Sequence, residues 1–363
     1  MRNAMLTLAV SLAIAAGSAT GPSAEMLAPV RVGPSFASMG PLSFGPDGTL
    51  YAADRQAASI YALDLGAAAS AAAPGAGDIA AIDQKIAARL GTAATEVAIT
   101  DLAIHPTSRN AYLSVMRGQG PNAQAALIRV DGTGNVEVVS LDTVSYTSVS
   151  MPNPPAANAT GRNGRMASIT DMAYLDGHLY VAGLSNEEFA SKFWAVPYPF
   201  RAADRGTSVE IWHASHARFE TNSPILTFVP MRVANEPTLI AGYTCTPLVR
   251  FPVSDMKPGA KIMGTTIAEL GSGNQPIDMV LYEKDSRQYL LMANTRHGVL
   301  KIATEPFGTA AGLTERAEDT AGVPAERVAS MAGVVQLDLL DGTRSIALQR
   351  TDAAINLQTF SLQ

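Results

Sequence analysis

The chain has 363 residues, of which 47% are hydrophobic and 16% are charged, and its formal net charge is -6. Apolar residues are plentiful enough to fill a core, whereas the acidic balance argues against a nucleic-acid partner, which requires a basic surface. The length is compatible with one large β domain or with two ordinary domains. The single cysteine, Cys245, excludes an intrachain disulfide and leaves a thiol that is either buried and inert or chemically used.

The first 24 residues have the pattern of a secretory signal peptide. Arg2 supplies a positive charge, residues 6–16 form a short apolar run, and small residues lead up to Ala24. This order is typical of export signals. The run is shorter than the ~20 apolar residues that span a bilayer, and no later stretch predicts a transmembrane helix. We therefore expect a mature chain of residues 25–363 that is periplasmic or secreted.

A sequence pattern that predicts three strands recurs six times along the mature chain. Each copy has an apolar strand, a turn, a second apolar strand that ends in small residues, a polar loop and a third strand. The turn of the first copy is Pro46-Asp47-Gly48, in which Pro fixes φ and Gly accepts a positive φ. The innermost strands are expected at residues 41–44, 99–104, 169–174, 224–228, 276–281 and 331–335.

Several copies add an outer strand, expected at residues 135–141, 209–212 and 262–270. Four strands per repeat, at a period of roughly 40–60 residues, is typical of propeller blades. The sequence therefore predicts an all-β fold, a six-bladed β-propeller in a single domain. The sixth copy lacks an outer strand, and residues 26–32 are available to supply it, which would close the ring and leave no open edge.

Two segments interrupt the repeats. Residues from about 67–98 are rich in alanine, with Ile79, Ile82, Ile86 and Leu90 at helical spacing, which predicts a short helical insertion between blades 1 and 2. Residues 151–165 are rich in Pro, Asn and Gly and predict a long loop before blade 3.

Two strand phrases resemble those of a known superfamily. Residues 42–54 and 179–182 are similar to strands of the NHL, SMP-30/gluconolactonase and strictosidine-synthase-like propellers. The resemblance covers most of the mature chain and implies a six-bladed propeller, although such a fold does not define an activity. The lactonase members hold calcium at the channel mouth with acidic and amide side chains, beginning with a glutamate near the first inner strand. The corresponding residues 38–41 contain no carboxylate.

Three aspartates occupy the same slot of three repeats. Asp101, Asp171 and Asp278 each lie near the start of an innermost strand, and inner strands line the central channel of a propeller. Converging carboxylates repel one another and raise one another's pKa unless a cation or hydrogen-bond donors compensate. Oxygen ligands of this kind suit Ca²⁺ or another divalent metal ion. The alternative is that each aspartate caps backbone N–H groups within its own blade.

The connections between second and third strands carry further candidates, which are expected on one face of the ring. Asn186, Cys245 and Arg296 occupy equivalent positions, and Asn294 and His297 lie beside Arg296. Positive neighbours such as Arg296 and His297 would lower the pKa of the Cys245 thiol and make it a nucleophile or a metal ligand. The alternative is a small buried hydrophobe, which is common for a free cysteine.

The remaining histidines form one further pattern. His213 and His216 have an i, i+3 spacing directly after a strand, which predicts a possible metal-binding pair, whereas His105 and His178 lie beside turns and are expected to be structural or solvated. The sequence contains no Gly-x-Ser-x-Gly nucleophile motif and no phosphate-binding glycine loop.

Three functions are consistent with these features. The first is an exported propeller that binds a small molecule, a metal ion or a periplasmic protein at its channel-mouth face. The second is a metal-dependent hydrolase or lactonase in which Asp101, Asp171 and Asp278 act as ligands or base. The third is a redox accessory protein in which Cys245 and His297 bind a transition metal or cofactor.

Overall fold

A computed structural model describes residues 27–66 and 75–362. The predicted signal peptide, residues 1–24, and residues 67–74 of the predicted insertion lie outside the described residues. Within the described parts of the chain, we find no helix of sufficient length and hydrophobicity to cross a membrane.

Short β-strands make up about half of the described residues. The first nine strands are β1 (Arg31–Val32), β2 (Met39–Phe44), β3 (Leu50–Asp54), β4 (Ser59–Asp64), β5 (Val97–Ile104), β6 (Ala111–Arg117), β7 (Gln124–Val130), β8 (Val136–Val138) and β9 (Ser145–Ser150). The next nine are β10 (Asp171–Leu175), β11 (His178–Leu184), β12 (Ser191–Pro197), β13 (Thr207–His213), β14 (Arg218–Glu220), β15 (Ile225–Val233), β16 (Glu236–Tyr243), β17 (Pro247–Pro252) and β18 (Lys261–Met263). The last nine are β19 (Thr265–Leu270), β20 (Pro276–Lys284), β21 (Arg287–Asn294), β22 (Gly298–Ala303), β23 (Thr320–Gly322), β24 (Glu326–Arg327), β25 (Val334–Asp341), β26 (Arg344–Arg350) and β27 (Ile355–Ser361).

One α-helix, α1 (Ile82–Leu90), accompanies the strands in the described residues. It ends because Gly91 adopts a left-handed conformation, with φ +64°, and its N–H bonds back to the last turn. Short 3-10 segments lie at Ala94–Glu96, Gly120–Asn122, Arg165–Ala167, Ala214–His216, Val253–Asp255, Glu305–Gly308 and Ala329–Met331.

The strands form six antiparallel blades, as the sequence predicts. From the axis outwards, blade 1 is β2-β3-β4-β9-β1, blade 2 is β5-β6-β7-β8, and blade 3 is β10-β11-β12-β13-β14. Blade 4 is β15-β16-β17-β19-β23, blade 5 is β20-β21-β22-β24, and blade 6 is β25-β26-β27. Strand β18 also pairs with β13, in parallel, and so links the connection between β17 and β19 of blade 4 to blade 3.

The order of the blades around the ring differs from their order in the chain. The inner strand of blade 1 packs between those of blades 2 and 3, and the inner strand of blade 2 packs between those of blades 1 and 6. The ring order is therefore 1-3-4-5-6-2. The chain leaves blade 1 after β4, builds blade 2 on one side, and returns through β9, the fourth strand of blade 1, before it continues to blade 3 on the other side.

Six hydrophobic clusters hold the blades together, one at each interface of this ring. Their members come from blades 1 and 3, 3 and 4, 4 and 5, 5 and 6, 2 and 6, and 1 and 2. Each cluster is built from the alternating apolar residues of adjacent sheets, which is the arrangement expected for packed β-sheets. The pattern of buried residues thus confirms the ring order independently of the strand pairing.

The helical insertion closes the ring. The backbones of Ile79 and Leu357 exchange two hydrogen bonds, so residue 79 adds an edge contact to β27 of blade 6. Asp78 Oδ1 accepts hydrogen bonds from the backbone and hydroxyl of Thr359, at 2.7 Å each. Ile82 and Ile86 of α1 are buried in the cluster between blades 2 and 6. The insertion therefore fills the seam between blade 2 and blade 6, where the ring closes.

Two sequence predictions about these segments require correction. The prediction that residues 26–32 complete blade 6 and close the ring is wrong, because β1 pairs with β9 at the edge of blade 1. Ile79 fits the helical spacing, yet it lies before α1 and forms the bridge to Leu357 instead. Apolar spacing alone does not distinguish these outcomes, because an edge contact and a helix face both require a buried residue at that position.

We expect Asp78→Ala to destabilise the propeller, because it removes both bonds to Thr359 at the closing seam. The free energy of unfolding should fall by about 1–2 kcal/mol, the usual effect of losing hydrogen bonds to a charged acceptor. Chemical denaturation monitored by tryptophan fluorescence measures the change. The exposed Asp255 provides the control, and an Asp255→Ala effect equal to that of Asp78→Ala would show that the seam contact is not special.

Candidate functional site

The structure brings the three predicted aspartates into one axial cavity. This cavity has a volume of about 400 Å³ and is lined by the inner strands of all six blades. Asp101, Asp171 and Asp278 all line it, and Asp338 of blade 6 joins them. In ring order the three predicted aspartates belong to blades 2, 3 and 5, so they occupy alternate positions around the axis.

Each of these three aspartates accepts two backbone hydrogen bonds. One comes from the residue that follows it, and the other crosses to the inner strand of the next blade in the ring. The donors are the N–H groups of Leu102 and Leu42 for Asp101, of Met172 and Phe228 for Asp171, and of Met279 and Leu337 for Asp278. Apart from the bond from Leu102, the distances lie between 2.6 and 2.9 Å. Three carboxylates thereby satisfy one backbone donor from each of the six inner strands.

Asp338 accepts the same pair of backbone hydrogen bonds further along the channel. Its Oδ1 accepts from Leu339 N at 2.6 Å, and its Oδ2 accepts from Ile104 N of blade 2 at 2.7 Å. The sequence does not predict this residue, because the sixth inner strand is expected at residues 331–335, whereas β25 spans Val334–Asp341. The alternation of Leu337, Asp338 and Leu339 is the signal that could have identified it.

Gln336 fills the aspartate slot of blade 6. With its amide oriented to satisfy both neighbours, it donates to Asp278 Oδ2 at 2.9 Å and to Asp101 Oδ1 at 3.1 Å. Burial, together with the charges of neighbouring aspartates, raises the pKa of Asp101 to about 8 and that of Asp278 well above its usual range. Burial also raises the pKa of Asp171 and of Asp338 to about 6. At neutral pH the ring therefore retains protons, which reduces the repulsion between its carboxyl groups.

These hydrogen bonds satisfy the three aspartates without a cation. Half of the bonds cross between blades, whereas the capping alternative expects every bond to lie within one blade. The Ca²⁺ or other divalent ion expected at Asp101, Asp171 and Asp278 stays a prediction. Within residues 27–66 and 75–362, a different set brings three possible ligand atoms within 4.8 Å of one another. This set is His213, His216 and Cys245.

The three residues meet at the seam between blades 3 and 4. His213 is the last residue of β13, His216 lies in the 3-10 turn that follows, and Cys245 lies in the turn between β16 and β17. The two imidazole rings lie 3.8 Å apart between centroids. His213 is buried, whereas the side chain of His216 is 38% exposed. Cys245 and Thr246 both have a positive φ, at 64° and 65°, a conformation that Ala234–Asn235 and Asp285–Ser286 also adopt in other hairpin turns of this chain.

Glu220 orients both histidines. Strand β14 folds back beside β13, and the Glu220 carboxylate lies 2.9 Å from His213 Nδ1 and 2.7 Å from His216 Nδ1. Arg218 lies on the same carboxylate at 2.9 Å. Burial opposes the charge of Glu220, but the hydrogen bonds from the two histidines outweigh it and hold its pKa below the usual range. Because Glu220 bonds Nδ1 of each ring, Nε2 is the nitrogen of each ring that can serve as a ligand, as in carboxylate–histidine–metal sites.

Several buried polar atoms beside the histidines have no hydrogen-bond partner among the described residues. These atoms are His213 Nε2, Ser215 Oγ and Glu269 Oε2. The other oxygen of Glu269 accepts from Ser215 N at 3.2 Å and lies 3.9 Å from His213 Nε2. Burial raises the pKa of Glu269, although the nearby His213 opposes this. Because buried polar groups are nearly always paired, these three atoms have hydrogen-bonding capacity to offer a water or a ligand.

The remaining predicted residues lie outside the group of His213, His216 and Cys245. Asn186 is exposed and its N–H donates to Asn153 O at 2.7 Å. Asn294, Arg296 and His297 lie in and beside the turn between β21 and β22, as the alignment of repeats predicts. His297 Nδ1 accepts from Arg327 at 3.0 Å and is not a member of the Cys245 group. The sequence singles out Cys245 and the histidine pair separately, but it does not indicate that they meet.

Comparisons with known proteins give only remote likenesses. No family model and no curated protein matches the sequence. Hydrazine synthase of Kuenenia stuttgartiensis is 12% identical, with 91% of this chain and 97% of that chain covered and a TM-score of 0.35. An oxidoreductase (glucose dehydrogenase) of Thermus thermophilus is 13% identical, with 92% and 100% covered and a TM-score of 0.31. The PQQ-bound aldose sugar dehydrogenase of Streptomyces coelicolor is 14% identical, with 93% and 100% covered and a TM-score of 0.27. At these identities no activity, cofactor or substrate carries over to this chain.

The raised pKa of Asp101 predicts a pH dependence of stability. The folded state holds a proton that the unfolded state releases near pH 4, so this contribution to stability is present at low pH and is lost as pH rises towards about 8. We expect Asp101→Asn, which stays neutral, to flatten the fall in melting temperature between pH 5 and pH 8. Asp64→Asn, at an exposed carboxylate, serves as the control. A slope that Asp101→Asn leaves unchanged would contradict the assignment.

Proposed function

We propose that this chain is an exported β-propeller that binds a transition metal ion at His213, His216 and Cys245. The observation that carries the proposal is the convergence of three ligand atoms within 4.8 Å of one another, at a buried histidine whose Nε2 has no hydrogen-bond partner among the described residues. The proposal makes the third predicted function more specific and replaces His297 by a histidine pair. Export rests on the signal-like residues 1–24.

The donor set favours particular metals. Imidazole nitrogen suits Zn²⁺, copper, iron and nickel, and thiolate selects zinc and copper, whereas Ca²⁺ and Mg²⁺ require oxygen ligands. Cys245 would bind as the thiolate, and the two histidines would bind through Nε2 while Glu220 holds Nδ1. Arg218 lies on Glu220 and neutralises it, so the thiolate offsets one of the two positive charges of a divalent ion.

Three protein ligands leave room for a further ligand. Zinc sites that lack a fourth protein ligand bind water or substrate there, and such a metal polarises its ligand or carries out redox chemistry according to its identity. A cavity of about 100 Å³ adjoins His213 and His216 and is lined by Arg162, Asn163 and Asn222, among others. We therefore propose metal binding as the function, with an accessory or redox role ahead of hydrolysis.

The finer family relationship is also a proposal. The resemblance of residues 42–54 and 179–182 to the NHL, SMP-30/gluconolactonase and strictosidine-synthase-like propellers supports membership of that superfamily. The absence of a carboxylate at residues 38–41 and the position of the proposed metal ligands at a blade seam distinguish this chain from its calcium-dependent lactonases.

We expect the purified protein to bind one Zn²⁺ or Co²⁺ per chain. The Co²⁺ form should show a thiolate-to-cobalt charge-transfer band, because Cys245 is a ligand. Cys245→Ala should abolish the band, and His213→Ala should abolish or strongly weaken binding. His178→Ala provides the matched control, since this histidine lies beside a turn away from the metal ligands. Elemental analysis and absorption spectroscopy measure the outcomes, and a band that survives in Cys245→Ala would refute the proposal.

Glu220→Ala should weaken metal binding without removing a ligand. Losing a carboxylate that orients ligating histidines typically costs about 10–100-fold in affinity. Competition with a chromophoric chelator measures the dissociation constant. Glu137→Ala, on blade 2, is the control, and equal affinities for the two variants would exclude the orienting role.

Metal should also stabilise the fold, because the ligands join blade 3 to blade 4. At a free metal concentration 100 times the dissociation constant, the expected gain is about 2.7 kcal/mol. Denaturation of the metal-free and the Zn²⁺-loaded protein measures the gain. Cys245→Ala should show none of it, and a gain that Cys245→Ala retains would place the stabilising ion elsewhere.

A further inference from the structure

We propose that an arginine-lined cavity between blades 5 and 6 binds a small organic anion with a carboxylate or phosphate head. The cavity has a volume of about 550 Å³, and Arg296, His297, Arg327 and Arg350 line it together with Asn294 and others. This volume lies within the range of small-molecule sites. The site is separate from the proposed metal ligands and does not depend on them.

The charge of this cavity is opposite to that of the whole protein. The chain carries a net charge of -6, yet three arginines border the cavity and Asp352 is the one acidic residue of its lining. In the described residues, none of the three guanidinium groups forms a salt bridge. Arg296 donates to Ser272 O and Arg327 donates to His297 Nδ1, while the Arg350 side chain forms no hydrogen bond with a described residue. Three cationic groups without a paired carboxylate favour an anion.

Hydrogen bonds from two buried asparagine side chains fix the turn that carries Arg296 and His297. Asn274 is fully buried, and its Oδ1 accepts from Arg296 N at 2.9 Å. Its Nδ2 donates to Asn294 Oδ1 at 3.1 Å, and Asn294 in turn donates to Met292 O. Two buried amides therefore fix the backbone from which the cationic side chains project. Such support is what an accurate binding site requires.

His297 is placed as a hydrogen-bond donor. Arg327 donates to its Nδ1, so the ring proton lies on Nε2. A Cβ at residue 271 would lie 2.5 Å from this Nε2, and Gly271 also has a φ of +112°, so glycine is required for the ring to occupy this position. Guanidinium and imidazole N–H groups together match the oxygens of a carboxylate or phosphate.

A second cavity supplies a place for the body of the ligand. It has a volume of about 370 Å³, shares His297 and Arg327 with the first, and is lined by Leu270, Leu300 and Val323 among others. These three side chains are mostly buried and apolar. Glu269 is the one acidic residue of this lining. A largely apolar lining beside the three arginines suits a ligand with an anionic head and a short apolar body.

Calorimetric titration of the full chain after chelation and desalting tests the proposal, because metal-free protein excludes anion binding to the metal. The probes are hexanoate, inorganic phosphate and the neutral hexanol. We expect saturable binding of hexanoate, phosphate or both, and none of hexanol. Arg296→Gln and Arg350→Gln should each weaken binding by roughly tenfold, the scale of one charged hydrogen bond.

Arg89→Gln, on the exposed face of α1, is the matched control and should bind as the wild type does. Binding of hexanoate alone would assign a carboxylate head, and binding of phosphate alone would assign a phosphate head. Saturable binding of neither probe would overturn the proposal, as would Arg296→Gln and Arg350→Gln variants that bind like Arg89→Gln. None of these outcomes bears on the metal proposal, which the Co²⁺ spectrum tests separately.

Discussion

The constraint on which this propeller depends is the unpaired edge of its six innermost strands. Each inner strand pairs with a second strand on one side only, so its other backbone N–H groups face the axis, where no ladder partner exists. Asp101, Asp171 and Asp278 satisfy one such group in every blade, because each carboxylate has two oxygens and bridges two strands. Three acids at alternate positions therefore suffice, and the intervening slots hold uncharged residues such as Thr227 and Gln336. Six acids would add repulsion without adding partners.

This constraint explains what can be predicted from the sequence. Apolar alternation and turn residues identify all six blades and the outer strands of blades 2, 3 and 4, because the first three strands of each blade form a local meander. The equivalent aspartate slots follow from the same repetition. The ring order 1-3-4-5-6-2 does not, since any two sheets with apolar faces pack in the same way and the pattern does not record which faces meet. The assignment of residues 26–32 to blade 6 is wrong for this reason.

The candidate metal centre shows the same limit at the level of single residues. The histidine pair is visible from its spacing and Cys245 from its position in a turn, but a spacing along one strand cannot reveal a partner on another blade. Their meeting depends on β14, which folds back to place Glu220 behind both rings, and on the left-handed turn that presents Cys245. The sequence carries a weak sign of this in Glu220, four residues after His216, although short turns with this spacing are common. Asp338 escapes prediction for a simpler cause, namely an inner strand that extends beyond its expected end.

The positions of these groups indicate that the residues that hold the blades together and the residues proposed to bind ligands lie in different parts of the molecule. The axial cavity is occupied by carboxyl groups that retain protons and already accept backbone hydrogen bonds, so little of their capacity is left for a ligand. The seams between blades offer more, because turns from two sheets converge there and can supply unlike side chains. Cys245 and Arg296 lie in equivalent turns of blades 4 and 5. Cys245 adjoins the histidine pair, whereas Arg296 lines the arginine-lined cavity. A repeated turn can thus acquire different chemistry in each blade, because the side chains that complete it come from the neighbouring connections, which do not repeat.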